Sequence, residues 1–162
     1  MRASLRQPLI AACLAAGAFA FAGCSYPEQF FIVNRATKPL VIVATADVWT
    51  HADTGAPTCA WYVVGRAPLP LRAATADRLG RDPLQWDEMT DVGDSTFDKG
   101  RCSVRATVAP SSAVLIWQTS NGRRDPFLTG LTLGEAGDTL DKAELLGRFR
   151  QRSRSVYVLE VE

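Results

Sequence analysis

The chain has 162 residues, a formal net charge of +1 at neutral pH, 22% charged residues and 47% hydrophobic ones. That length usually makes one domain and is enough to bury a sizeable core. The balanced charge excludes a global basic field for nucleic acid. No segment is polar and charged enough to read as wholly disordered, and no repeat of about 20 to 50 residues is visible.

The first element is MRASLRQP followed by the apolar run Leu9 to Ala22, with Arg2 and Arg6 ahead of it and no acid before Cys24. A spanning helix needs roughly 17 to 25 apolar residues, whereas a signal-peptide core needs about 7 to 15 after a positive stretch. The run therefore reads as a signal peptide over residues 1–23.

The quartet Phe21-Ala22-Gly23-Cys24 resembles the lipobox of bacterial lipoproteins. Ala22, Gly23 and Cys24 fit that pattern, and Phe21 stands where Leu is usual. The resemblance implies cleavage between Gly23 and Cys24. It also implies a thioether diacylglycerol and an N-acyl chain such as palmitate on Cys24. Two or more chains anchor a protein stably, where one does so marginally. Ser25, rather than Asp, follows the cysteine, which by analogy with Gram-negative lipoproteins implies the outer membrane, facing the periplasm. The alternative is ordinary secretory cleavage after Ala20-Phe21-Ala22, which would leave an odd thiol in an oxidising compartment. Loss of Arg2 and Arg6 turns the formal +1 into −1.

Cys13 leaves with the signal peptide, so Cys59 and Cys102 remain as a pair. In an exported chain two such cysteines are expected to form a disulfide, and nothing resembles the close C-x₂-C spacing of a metal site.

Residues 24–28 read as a tether and 29–162 as one β domain. QFFIVNR (Gln29 to Arg35) is rich in aromatic and β-branched residues and predicts a strand. LVIVATA (Leu40 to Ala46) predicts a second, joined to the first as an antiparallel hairpin. Both faces of this second run are apolar, which predicts a central strand covered on both sides. Asp47 to Thr58 reads as a loop and holds the single histidine, His51, with Asp53 two residues on. A third strand is predicted at AWYVVG (Ala60 to Gly65), with Trp61 beside the disulfide.

Residues 66–100 are broken by Pro68, Pro70 and Pro83 and read as one long loop, with a short helix at most over Ala73 to Leu79. Within it, Asp82 to Asp98 carries six acids and no base. Trp86, Asp87, Glu88, Asp91, Asp94, Phe97 and Asp98 mix carboxylates with aromatics, a composition suited to a protein contact. Asp91, Asp94 and Asp98 do not match the spacing of a calcium loop.

Arg101 to Val108 alternates cleanly, with Cys102, Val104, Ala106 and Val108 on one face. A turn at Ala109 to Ser112 leads to AVLIWQT (Ala113 to Thr119), again a hairpin signal. Asn121-Gly122 marks a turn before FLTGLTL (Phe127 to Leu133), a poorer strand because of Gly130. Asp141 with Glu144 forms a capping-box pattern, so a short helix is predicted over Lys142 to Phe149. Arg148, Arg150, Arg152 and Arg154 follow, and suit either the helix end or lipid headgroups. SVYVLEVE (Ser155 to Glu162) predicts a terminal strand.

About seven strands, short turns and one helix predict a mainly β fold, an antiparallel β-sandwich, with a small barrel as the alternative. Neither a G-x-S-x-G nor an H-E-x-x-H motif is present. The expectation is therefore a non-catalytic envelope lipoprotein, held to the membrane through Cys24, that scaffolds or binds an envelope protein partner. No cofactor, metal site or nucleic-acid partner is expected. The alternatives are a small-ligand or cation binder using Trp49, Trp86 and the acidic stretch, and, behind it, a periplasmic hydrolase that would depend on His51.

Overall fold

The computed structural model describes residues 27–50, 55, 57–60, 71–80, 82–119, 127–135, 137 and 139–162. The alternating and continuous apolar runs of the sequence become two facing sheets. The first sheet contains β1 (Glu28–Asn34), β5 (Arg72–Thr75), β6 (Thr90–Asp91), β9 (Ser112–Thr119), β12 (Arg150–Gln151) and β13 (Val156–Val161), in the order β12-β13-β1-β9-β5-β6. The second contains β2 (Leu40–Ala46), β7 (Ser95–Asp98), β8 (Ser103–Val108), β10 (Leu128–Leu133) and β11 (Thr139–Asp141), in the order β11-β10-β2-β8-β7. A separate hairpin pairs β3 (Val48–Thr50) with β4 (Pro57–Cys59). The fold is a β-sandwich, and each sheet keeps its edges instead of closing into a barrel.

The expected hairpins at Ala36 to Pro39 and Ala109 to Ser112 are corrected by the topology. β1 and β2 belong to different sheets, and so do β8 and β9. Asn34 explains the crossing. Its buried side-chain amide donates to the carbonyls of Lys38 and Val108, both at 2.9 Å, while the Asn34 backbone carbonyl accepts from Ser111 N at 2.9 Å. Both crossings are thus knotted to one side chain, and the freed β1 pairs in parallel with β13 and antiparallel with β9.

Between the sheets lies a core built from the inward residues of both, including Phe30, Ile32, Ile42, Ala44, Val104, Ile116, Leu131 and Leu159. Phe30 is its centre. It stacks between Trp117 and Tyr157 at centroid separations of 3.8 and 4.7 Å, and Phe149 meets it edge-on at 5.2 Å. The three stacked rings occupy one cross-strand row, a geometry that favours aromatic pairing. A register shift in β9 opposite Phe30/Phe31 lets consecutive Ile116 and Trp117 both face this core.

β1, β9 and β13 are apolar on their outer face too, where Phe31, Val33, Leu115, Val156 and Val158 form a second buried cluster. The cover comes from the segment expected as a loop. Ala76, Leu79, Leu84 and Met89 pack onto that face, and β5, β6 and β7 pair into the sheets on either side of them. The expectation of a long loop at 66–100 is corrected accordingly over the described part of it. Its apolar residues are spaced irregularly because they serve a strap laid across a sheet, and a strap has no period. The expected short helix at Ala73 to Leu79 is instead β5 followed by a 3₁₀ turn, Ala76–Arg78. By contrast β2 is central in its sheet, but Val41, Val43 and Thr45 on its outer face stay half-buried, so the expected two-sided cover is not complete.

Helix α1 (Lys142–Arg148) begins where expected. The Asp141 carboxylate accepts from the amides of Ala143 and Glu144, both at 2.9 Å, and Glu144 closes the box by accepting from Asp141 N at 3.1 Å. The predicted strand at Ala60 to Gly65 lies, apart from Ala60, outside the described residues.

Candidate functional site

The acidic stretch begins on the strap that covers the six-stranded sheet. Its anchor is Gln29, a polar residue 1% exposed that precedes the apolar run Phe30 to Val33 of β1. The Gln29 amide donates to the carbonyl of Leu84 at 2.7 Å, and its oxygen accepts from Leu84 N at 2.8 Å. One side chain therefore stands in for a neighbouring strand. Trp86, Asp87 and Glu88 follow as a 3₁₀ turn, closed at its start by Gln85 N donating to the Glu88 carboxylate at 2.7 Å and Glu88 N donating to the Gln85 carbonyl at 3.1 Å.

Arg72 of β5 organises the turn from below. Its guanidinium donates to the Asp91 carboxylate, to the Trp86 carbonyl at 2.7 Å and to the Met89 carbonyl. It also lies 4.9 Å from the centre of the Trp86 ring, in cation–π range. A planar fork with several fixed donors suits this task, and a lysine would not replace it. Arg78 adds a second tie, to the Glu88 carbonyl and carboxylate, each at 3.2 Å. The Thr75 hydroxyl holds the exposed Asp77 carboxyl beside it below the ordinary aspartate value. The result is a rigid platform on which Trp86 is 47% exposed, flanked by Asp87 and Glu88.

The other expected members lie elsewhere. Asp94 sits in the turn after β6, its carbonyl accepting from Thr107 N at 3.1 Å. Phe97 and Asp98 belong to β7 at the edge of the opposite sheet, where Phe97 packs against the inter-sheet core. The Asp98 carboxylate is occupied by the turn it closes, accepting from Gly100 N at 2.9 Å and Arg101 N at 3.1 Å. The expected surface of seven residues is therefore divided. Trp86, Asp87, Glu88 and Asp91 form one face around Arg72, and Asp94, Phe97 and Asp98 are structural parts of a different edge. Asp91, Asp94 and Asp98 are not gathered, and among the described residues no three His, Cys, Asp or Glu side chains come together as metal ligands.

Cys59 and Cys102 are joined by a disulfide with a Cα separation of 5.3 Å. It ties β4 to the turn before β8, where Cys102 adopts a left-handed φ of 51° that a residue with a side chain seldom takes. Beside that turn an open groove of about 690 Å³ is lined by Val43, Phe97, Lys99, Arg101, Ser103 and Arg105, among others. The hairpin β3–β4 carries the two most exposed large apolar side chains among the described residues, Val48 at 60% and Trp49 at 56%. Cys24, His51, Asp53 and Trp61 lie outside the described residues. Among the described residues no helix is long and apolar enough to cross a membrane.

Sequence reasoning passed over Gln29, Arg72 and Arg78. A polar residue inside an apolar strand is the one signal that marks Gln29 in advance. Arg72 has none, because its importance depends on which strand it joins. Comparison with protein-family models, curated proteins and solved structures finds no match.

Proposed function

We propose that this protein is a non-catalytic, lipid-anchored envelope lipoprotein that scaffolds or binds a protein partner through the platform around Trp86. The observation that carries the reading is the Arg72–Trp86 arrangement. A large aromatic is held half-exposed by a half-buried cation and surrounded by Asp87, Glu88 and Asp91. Immobilised aromatics lose little entropy on binding and are favoured anchors at interfaces. The carboxylates around it favour a partner with a basic patch. The lipid anchor is inferred from Phe21-Ala22-Gly23-Cys24, and an anchored domain needs only a contact face to act as a scaffold.

The test is site-specific photo-crosslinking in intact cells. A photoreactive residue at Asp87 is expected to give a discrete protein adduct that disappears with Trp86→Ala. The same residue at Thr132, on the opposite sheet, serves as the control. Adducts of equal yield at both positions, or none at Asp87, would remove the platform as the contact face.

A further inference from the structure

The register of the strands places one end of the sandwich next to the point where the chain enters it. β1 begins at Glu28, opposite Thr119 at the end of β9. β13 begins one step away, with Val156 beside Gln29. In the facing sheet β2 ends at Ala46 opposite Leu128, and β8 begins with Ser103 beside Thr45 and Asp98. Hairpin β3–β4 emerges from this same end, one residue after β2, and among the described residues pairs with no strand of either sheet. All three residues of β3 are exposed.

The hairpin base is firmly held. Asp47 N donates to the Phe127 carbonyl at 2.7 Å, Ala60 N donates to the Asp47 carbonyl at 2.9 Å, and the disulfide fixes Cys59 to Cys102. Val48 and Trp49 therefore project on a stiff support. The neighbouring turn presents Lys99 and Arg101, whose side chain is 86% exposed and pairs with the Asp98 carboxylate at 3.8 Å. Of the acids at this end among the described residues, Asp98 is engaged by the turn amides, Glu28 accepts from the Tyr157 hydroxyl at 3.4 Å, and Asp141, across from Gly130, is exposed but accepts from the first amides of α1. Asp47 is half-buried.

We infer that this end of the sandwich rests on an anionic phospholipid surface, with Trp49 and Val48 seated in the bilayer interface and Lys99 and Arg101 against the headgroups. The inference rests on the reading of Cys24 as the acylated residue. Only Ser25, Tyr26 and Pro27 lie between Cys24 and β1, so even a fully extended link reaches at most about 14 Å. A leash that short brings the entry end of the domain to the headgroups and leaves the opposite end, at Asn34 and Ser111, facing away. Tryptophan prefers the membrane–water interface, and exposed cations are drawn to anionic lipid there. The Trp86 platform lies on the flank of the sandwich, free for a protein while the hairpin holds the domain upright.

The test uses the protein isolated from its own membranes and reconstituted in vesicles of phosphatidylglycerol and phosphatidylcholine with brominated acyl chains. Bromine quenches only tryptophans near the acyl region. Quenching is expected in the native chain, to fall by at least half in Trp49→Phe, and to persist in Trp86→Phe. Quenching that Trp49→Phe leaves unchanged, with the Trp49 emission open to aqueous acrylamide, overturns the proposal and assigns the hairpin to a protein partner. The mass of the N-terminal peptide separates this from failure of the anchor. If Cys24 carries no lipid, the anchor reading is lost. The hairpin proposal is then decided by whether the unacylated chain binds phosphatidylglycerol vesicles with Trp49 quenched: binding upholds it and no binding overturns it.

Discussion

The buried side-chain amide of Gln29 reads the backbone of Leu84 as a neighbouring strand would, with one bond donated at 2.7 Å and one accepted at 2.8 Å. Fifty-five positions apart in the chain, the two residues fix where the strap crosses the six-stranded sheet. Gln29→Leu keeps the volume and leaves the Leu84 N–H and carbonyl without these partners under the strap. Each unsatisfied buried group costs about 1–3 kcal/mol. Urea unfolding of this variant is expected to show a loss of about 2 kcal/mol or more. A loss under about 0.5 kcal/mol, the usual range of surface changes, would mean that the strap is held by its apolar contacts alone.

Arg72 makes a separable contribution, because it acts on the turn at Trp86 more than on the sheet below. Arg72→Lys retains the positive charge and loses the fork that reaches the Trp86 and Met89 carbonyls together. Acrylamide quenching of Trp86 should rise, read as the difference between the Arg72→Lys chain with and without Trp86→Phe. Stability should fall by about 1–2 kcal/mol, the value of charge-assisted bonds that are partly screened. Unchanged quenching would show that the ring is positioned by the capped 3₁₀ turn without help from the guanidinium.

The sandwich and its long strands are readable from local pattern, and the strap is not, for a physical reason. Arg101 to Val108 alternates because one face meets a core and the other meets water, and its buried Val104, Ala106 and Val108 are those the alternation marks. The capping box at Asp141 is equally local, its partners lying within three residues. Residues 71–98 obey no such period. Leu79, Leu84 and Met89 each touch the sheet once, wherever the strap passes over it, so their spacing reflects a path through space. The sheet-to-sheet crossings at Asn34 are hidden in the same way, since a short turn between two strands reads as a hairpin until a long-range bond such as Asn34 to Val108 redirects it. The candidate surface inherits this limit. A run of acids is contiguous in sequence, yet Asp91 and Asp98 end on edges of different sheets.

The disulfide joins residues 43 apart and encloses the whole strap and both of its edge strands. In the chain-entropy picture, closing a loop of that length stabilises by about 4 kcal/mol at most. The paired substitution Cys59→Ser with Cys102→Ser is expected to lower the urea midpoint by an amount approaching this value. The hairpin β3–β4 should lose amide-exchange protection before the sheets do, because its base loses a covalent tie while the cores are untouched. If hairpin and sheets lost protection together, the bond would be stabilising the whole domain through the unfolded chain and not bracing the hairpin.

Glu160 ties the terminal strand to two arginines, with Arg35 at 2.7 Å and Arg152 at 3.0 Å. The hydrogen bond from Arg35 holds its carboxyl below the ordinary glutamate value, helped by the charges of both arginines and opposed by partial burial. A carboxyl whose folded pKa is depressed stabilises the fold above its unfolded pKa, and that stabilisation is lost as pH falls through the folded value. The native chain should therefore outlast Glu160→Gln at pH 7 by about 0.2–1 kcal/mol, the range for exposed pairs. The gap should close as pH drops below about 4, where the unfolded glutamate and then the folded one take up protons. High salt at pH 7 should narrow it as well, because these side chains are solvent-accessible. Urea midpoints of the two proteins at pH 7, 5 and 3 decide the matter. A gap that is the same at all three would show that Glu160 acts by packing and shape, with its charge contributing nothing.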